Sequence, residues 1–100
     1  LFSKIPDGSL EIVQILDPDQ LYTVDDIDKK LPSIELSTLR YAIRRLLEAD
    51  IIQSIPDLQD MRTVKYRMAP ETHLSKALQK LPPNISSLLQ HEIEKKKSSS

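Results

Sequence analysis

Cysteine is absent from this 100-residue chain. That excludes disulfide frameworks, cysteine-based zinc sites and thiol catalysis, and it agrees with a reducing compartment. Glycine occurs once, at Gly8, so no glycine-rich phosphate-binding loop can be built. There are four aromatic residues in a chain that is 39% apolar, which leaves the core to leucine and isoleucine. No apolar run approaches the length of a membrane span and no signal peptide is visible. The expected location is the cytoplasm, associated with the nucleoid, or the nucleus if the source is eukaryotic. The chain opens on Leu1 rather than methionine and closes on "KKKSSS", which fits a piece of a longer protein. The length suits one small domain that can bury a core unaided.

The formal net charge of −1 argues against a dedicated nucleic-acid coat protein. Its distribution is more informative. Residues 1–36 hold three basic and eight acidic side chains, residues 37–69 hold six and four, and residues 70–100 hold five and three. The acidic excess lies at the start and the arginines lie in the middle.

Periodicity predicts five helices and one hairpin. "DGSLEIVQILDP" forms the first helix, capped by Ser9 and ended by Pro18, with an apolar stripe of Leu10, Ile12, Val13 and Leu16. "YTVDDIDKKLP" forms the second. Thr23 caps it, Asp25 and Asp26 sit in its first turn where the helix dipole favours acid, and Val24, Ile27 and Leu31 face inward. "SIELSTLRYAIRRLLEAD" forms the third, with Leu39, Ile43, Leu46 and Leu47 inside one ~100° arc. Asp50 ends it where glycine or asparagine is more usual. The period then changes to two. Residues 51–55 and 63–68 form two strands, with Val64, Tyr66 and Met68 inward, Lys65 and Arg67 outward, and Asp57 and Asp60 in the turn. "ETHLSKALQKL" is a fourth helix, with Leu74, Ala77, Leu78 and Leu81 on one face. After Pro82–Pro83, Asn84 caps a fifth helix bearing Ile85, Leu88, Leu89 and Ile93. The expected fold is mainly α with a small β-hairpin: a winged helix–turn–helix with two additional C-terminal helices. Its expected parts are an arm over 1–8, a winged-helix domain over 9–69, a helical extension over 70–97 and a disordered tail over 98–100.

With the third helix's apolar stripe turned inward, Tyr41 points outward. Ser37, Thr38, Arg44, Arg45 and Glu48 flank it, and Arg40 stands at the margin. Helix exteriors are ordinarily charged, and Arg44 and Glu48 at i, i+4 can simply pair. Tyr22 is placed as a packing residue. Phe2 is placed to staple the N-terminus or engage another subunit. His73 and His91, in different helices and without a third ligand, are expected in solvent rather than on a metal. The aspartates of the first third fall at helix starts and turns, where capping accounts for them. No nucleophile–base constellation is present, so neither an enzyme nor a cofactor is expected.

"TVDDIDKKLPSIELSTLRYAIRRLLEADII" resembles the core of winged helix–turn–helix regulators. Their pattern is an entry Thr or Ser, a helix, a turn, Ser/Thr-Leu/Val, a basic helix, "L-x-E-A-G" and two apolar residues. Thr23, Ser37, Thr38, Leu39, Leu46, Glu48, Ala49, Ile51 and Ile52 carry it here, with Asp50 in place of the glycine. "SIPDLQDMRTVKYRM", through Asp57, Asp60, Arg62 and Tyr66, is similar to the wing of the multiple-antibiotic-resistance (MarR) and PadR-type regulators. The likeness spans residues 9–69. The Pro-Pro break and the residues after it lie outside the likeness.

The resemblance implies sequence-specific binding to double-stranded DNA and transcription regulation. Residues 37–49 would lie in the major groove and the wing, 54–66, on the backbone. The implied contacts are Ser37, Thr38, Arg40, Tyr41, Arg44, Arg45, Arg62 and Lys65. A homodimer through the C-terminal helices is expected, with no membrane partner, and the residues name no small-molecule effector. A different class stays open: a winged-helix scaffold for protein–protein contacts in a larger complex, which the acidic first helices also fit. Lys65 and Arg67 could equally protect an edge strand from aggregation.

Overall fold

The computed structural model describes residues 5–60 and 62–98. The elements run α1 (Ser9–Ile15), α2 (Val24–Lys30), α3 (Leu36–Glu48), β1 (Ile52–Pro56), β2 (Val64–Met68), α4 (Glu71–Gln79) and α5 (Pro83–Ser98). This is the expected mainly-α winged helix. Strands β1 and β2 pair antiparallel, from Ile52 opposite Met68 to Pro56 opposite Val64. Phe2 and residues 99–100 of the expected tail lie outside the described residues, while Ser98 closes α5.

Helix α3 packs on α1, α2 and β1, and α5 packs on α1 and α4. One buried cluster joins Ile12 and Leu16 of α1, Ile27 of α2, Leu39, Ile43 and Leu46 of α3, Ile51, Ile52, and Ile85 and Leu89 of α5. Among the described residues no aromatic side chain is fully buried. Aliphatic side chains fill the core, as the scarcity of rings requires. Leu10, Val24, Leu31 and Leu47 are only partly covered at its edge. Leu88, expected on the α5 stripe, is exposed. The remaining stripe of α5 is used within the chain, so its covered positions are not available to a second subunit.

The helix ends follow local chemistry. Gly8, not Ser9, caps α1, at φ 87°. A Cβ at Gly8 would meet Ile34 and Leu39 at an ordinary 3.7–3.8 Å, so the left-handed backbone, not space, calls for glycine. Ser9 is drawn into the first turn and fully buried. The helix stops at Ile15, well before Pro18. Asn84 is likewise not a cap. Pro83 takes the first position of α5, which tolerates a missing N–H, and the Ser86 amide donates to the Pro82 carbonyl at 2.9 Å.

Thr23 does cap α2. The Asp26 amide donates to Thr23 Oγ1 at 3.1 Å, and the Thr23 amide donates to Asp26 Oδ2 at 3.0 Å. The Thr23 backbone bond, then its hydroxyl, holds the Asp26 carboxyl below the ordinary 3.8. A lowered carboxylate pKa contributes stability that is complete above the unfolded value and is lost as pH falls through the folded value. Thr23→Ala is expected to cost ~0.5–2 kcal/mol in urea melts at pH 7. The gap between wild type and variant should narrow below about pH 4. A gap that stays constant to pH 2 would remove Asp26 from the cap.

Helix α3 ends in a Schellman motif. Asp50 stands at φ 62°, its amide donates to the Leu47 carbonyl at 3.1 Å, and the Ile51 amide donates to the Leu46 carbonyl at 3.0 Å. Aspartate tolerates this conformation less well than glycine. Asp50→Gly is expected to raise stability by ~0.5–1 kcal/mol, net of the entropy glycine adds to the unfolded chain. An unchanged or lowered melting temperature would show that the Asp50 side chain contributes more than its strain removes.

Candidate nucleic-acid interface

The turn at residues 31–35 leads from α2 into α3, which packs against α2. Glu35 stands at the N-cap of α3 with no side-chain cap bond, and no acidic residue follows in the first turn. The Glu35 side chain thus leaves the leading amides of α3 without its cap bond, a setting in which helix ends meet anions. Ser37 and Thr38 are the second and third residues of α3, exposed and half-buried respectively. Asp7, with Ile5 and Pro6, borders an open recess of about 340 Å³ shared with Ser37, Thr38 and Tyr41.

Arg40, Tyr41 and Arg44 are all exposed. The Arg44 guanidinium lies 5.4 Å from the Tyr41 ring centre, within cation–π range. The pair pre-sets Arg44 without neutralising it. Arg45 departs from its expected outward position. Its side chain is only 20% exposed, and it pairs with Glu48 at 3.0 Å. The i, i+4 partnership expected for Arg44 and Glu48 is thus replaced by an i, i+3 partnership with Arg45. Glu48's charge is met within the helix, and Arg44 is left on the surface with its tyrosine.

The wing adjoins this helix. Arg40 and Arg44 share a recess of about 330 Å³ with Val24, Ile43, Leu47 and Tyr66. Tyr66 is fixed by the backbone. The Tyr22 amide donates to its carbonyl at 2.9 Å, and the Tyr66 amide donates back to the Tyr22 carbonyl at 2.6 Å. Tyr22 is therefore more than a packing residue: it adds a one-residue rung to β2 and ties the wing to the entry of α2. The Met68 amide donates to the Asp17 carbonyl at 3.2 Å, fixing the other end of β2.

The wing loop is held by its two aspartates. Asp57 Oδ1 accepts from the Gln59 amide at 2.9 Å, Asp60 Oδ1 from the Arg62 amide at 3.1 Å, and Asp60 Oδ2 from the Thr63 hydroxyl at 2.9 Å. The Gln59 amide, and after it the Lys65 charge, keep the Asp57 carboxyl below its ordinary value. Arg62 is exposed. Lys65 is half-buried, with its ammonium 3.8 Å from Asp57, and Arg67 is half-buried with its Nε donating to Gln53 Oε1 at 3.0 Å. Neither projects freely outward as the alternation predicts. Val64, expected inward, is 38% exposed, because its rung closes the sheet at the open end of the pleat. His73 and His91 are exposed on α4 and α5.

Of the eight predicted residues, α3 exposes Ser37, Arg40, Tyr41 and Arg44 and half-buries Thr38, the first recess holding Ser37, Thr38 and Tyr41 and the second Arg40 and Arg44. The wing presents Arg62. Arg45 and Lys65 are engaged by neighbouring carboxylates. The arrangement offers two exposed arginines and a ring on a helix, and a third exposed arginine on the braced loop of the adjoining wing. It contains donors and cations suited to an anionic partner.

The fold is a winged helix of the MarR type. Structural comparison returns a mutant form of ZitR from Lactococcus lactis at TM-score 0.60 and 22% identity, covering 99% of this chain and 60% of that one. It also returns the adhesin competence repressor AdcR from Streptococcus pyogenes at TM-score 0.59 and 21% identity, covering 96% and 77%. Wild-type MarR from E. coli matches at TM-score 0.58 and 18% identity, covering 89% and 64%. The chain thus spans about three-fifths of the ZitR chain it matches. No protein-family model matches the sequence, and no curated protein matches it at a significant level.

Proposed function

We propose that this chain is a transcription regulator that binds double-stranded DNA, with α3 in the major groove and the wing against the backbone. The observation that carries the reading is the accessible flank of α3. Its uncapped N-terminus, Arg40, Tyr41 and Arg44 lie next to a wing that presents Arg62. Two nearby acidic side chains are engaged locally, Glu48 by Arg45 and Asp57 by Lys65, while Asp7 borders the recess of Ser37, Thr38 and Tyr41 and Glu35 stands at the start of the helix. The fold is shared with proteins named as repressors, which fits a regulator rather than an enzyme. In this role the chain acts in the cytoplasm.

A homodimer would place two such faces ~34–36 Å apart on successive turns of the duplex. The inner face of α5 is committed to the chain's own core through Ile85 and Leu89. A dimer contact through the C-terminal helices would therefore use their outer faces, where Leu88 is 46% exposed. The test is binding to a random-sequence duplex over a salt titration, followed by selection of preferred sites. With three to four cations meeting phosphate, log K is expected to fall against log salt with a slope of about −3 per chain. No binding at ~50 mM salt would hand the lead to the scaffold reading.

A further inference from the structure

Leu58 is 88% exposed, more than any other large apolar side chain among the described residues. It does not hang on a loose loop. Asp57 Oδ1 spans it to reach the Gln59 amide at 2.9 Å, the Asp57 amide donates to the Thr63 carbonyl at 3.0 Å, and the Thr63 amide donates to the Asp60 carbonyl at 2.9 Å. The strands end just below on Pro56 opposite Val64, both exposed. The wing therefore carries a braced, exposed apolar residue in the same loop as the exposed Arg62. The core explains none of this, since Leu58 is not part of the buried cluster or of the hydrophobic residues packed against it.

We infer that Leu58 is a wedge, inserted by the wing tip into the minor groove against a base step while Arg62 holds the groove edge or backbone. Proteins that enter the minor groove press leucine and similar side chains between base pairs and kink the duplex there. The wing is positioned for such a contact, since Tyr66 of β2 shares a recess with Arg40 and Arg44 of α3. Phosphates would be repelled by free carboxylates at the tip, but Asp57 faces Lys65 and a backbone amide, and Asp60 faces an amide and a hydroxyl. A protein partner fits less well. Among the described residues the tip offers only Pro56, Leu58 and Val64 as exposed apolar side chains, well short of the ~800 Å² per partner that a stable protein interface takes.

The inference rests on the DNA reading above, and the experiment separates the two. A mixed-sequence duplex carrying 2-aminopurine at scattered adenine positions is titrated with wild type, Leu58→Ala and Leu58→Met. Wild type is expected to bind and to raise the fluorescence by unstacking. Leu58→Ala should bind roughly tenfold more weakly, lose the fluorescence rise and keep the salt slope, because leucine neutralises no phosphate. Leu58→Met should retain both, and all three proteins should melt at the same temperature. If Leu58→Ala binds and unstacks like wild type, the wedge is wrong and the DNA reading stands. If wild type does not bind the duplex, both fall. A Leu58→Ala variant that leaves DNA affinity intact but changes sedimentation of the purified chain would assign the tip to protein contact. A loss of affinity that follows a lowered melting temperature and is not rescued by Leu58→Met would also overturn the wedge.

Discussion

Leu46→Ala is expected to destabilise the fold by ~2–5 kcal/mol, the range for truncating a buried leucine. Leu46 is fully buried and lies on the face of α3 that meets the other elements. Its helix contacts α1, α2 and β1, so the cavity left by truncation would open where several elements meet. Rigid surroundings on several sides collapse poorly, which favours the upper part of the range. A domain of this size has ~5–15 kcal/mol of total stability. The substitution should therefore remove a large share and lower the melting temperature by ~8–40 °C at ~4–8 °C per kcal/mol. Tyr41→Ala on the opposite face is the control. Tyr41 is 49% exposed and contacts Arg44 across its ring, an interaction worth ~0.5–1 kcal/mol at the surface. Equal melting temperatures for Leu46→Ala and wild type would mean that α3 is rotated from the phase described.

Why does periodicity locate α3 so well? Its signal is strong because each inward position repeats: Leu39, Ile43 and Leu46 return every three or four residues, and all are buried. The hairpin is legible for the same reason, since the period drops to two after Asp50. Asp57 and Asp60 mark its turn by residue type, and both make the expected backbone bonds. Features without a period stay hidden. The Tyr22–Tyr66 rung is a single residue pair, and one residue carries no alternation. The caps of α1 and α5 turn on backbone geometry that composition conceals. Gly8 displaces Ser9 because φ is positive there, and Pro83 displaces Asn84 because a proline fits the first helical position.

The candidate site divides along similar lines. Exposure of Tyr41 and Arg44 follows directly from the helical wheel, while Arg40, at its margin, proves exposed. The choice of Glu48's partner does not. Positions i+3 and i+4 are both within reach on a helix, so Arg44 and Arg45 compete for one carboxylate. The half-buried setting of Arg45, at 20% exposure, gives its ion pair less competition from water. Leu58 is visible as a leucine in a polar loop, "PDLQD", but a lone apolar residue in a loop has no pattern to be read against. Its meaning comes from the brace around it.

That division of labour between the two arginines shapes the second large effect. Arg44→Gln is expected to lower affinity for the selected DNA site by ~1–3 kcal/mol, about five- to 150-fold, if its guanidinium makes a bidentate base contact. Most of the loss should be specific: affinity for an unrelated duplex should fall much less. Arg45→Gln should act by another route. Removing the guanidinium that stands 3.0 Å from Glu48 leaves an unneutralised carboxylate facing the groove, so binding should weaken on all sequences together. Arg62→Gln should also weaken all sequences alike and reduce the salt slope by about one unit if one phosphate contact is lost. Arg44→Gln and Arg62→Gln should not melt appreciably earlier than wild type, since surface changes usually stay within ~0.5 kcal/mol, whereas Arg45→Gln, at a half-buried ion-paired position, should also lose some stability. Glutamine keeps a long side chain of good helix propensity while removing the charge, so circular dichroism should be unchanged. The deciding measurement is the Arg44→Gln, Arg45→Gln double variant on the selected site at ~150 mM salt. An affinity equal to wild type would mean that α3 does not read DNA. The exposed arginines would then form a solvated or protein-facing surface, as the scaffold reading requires.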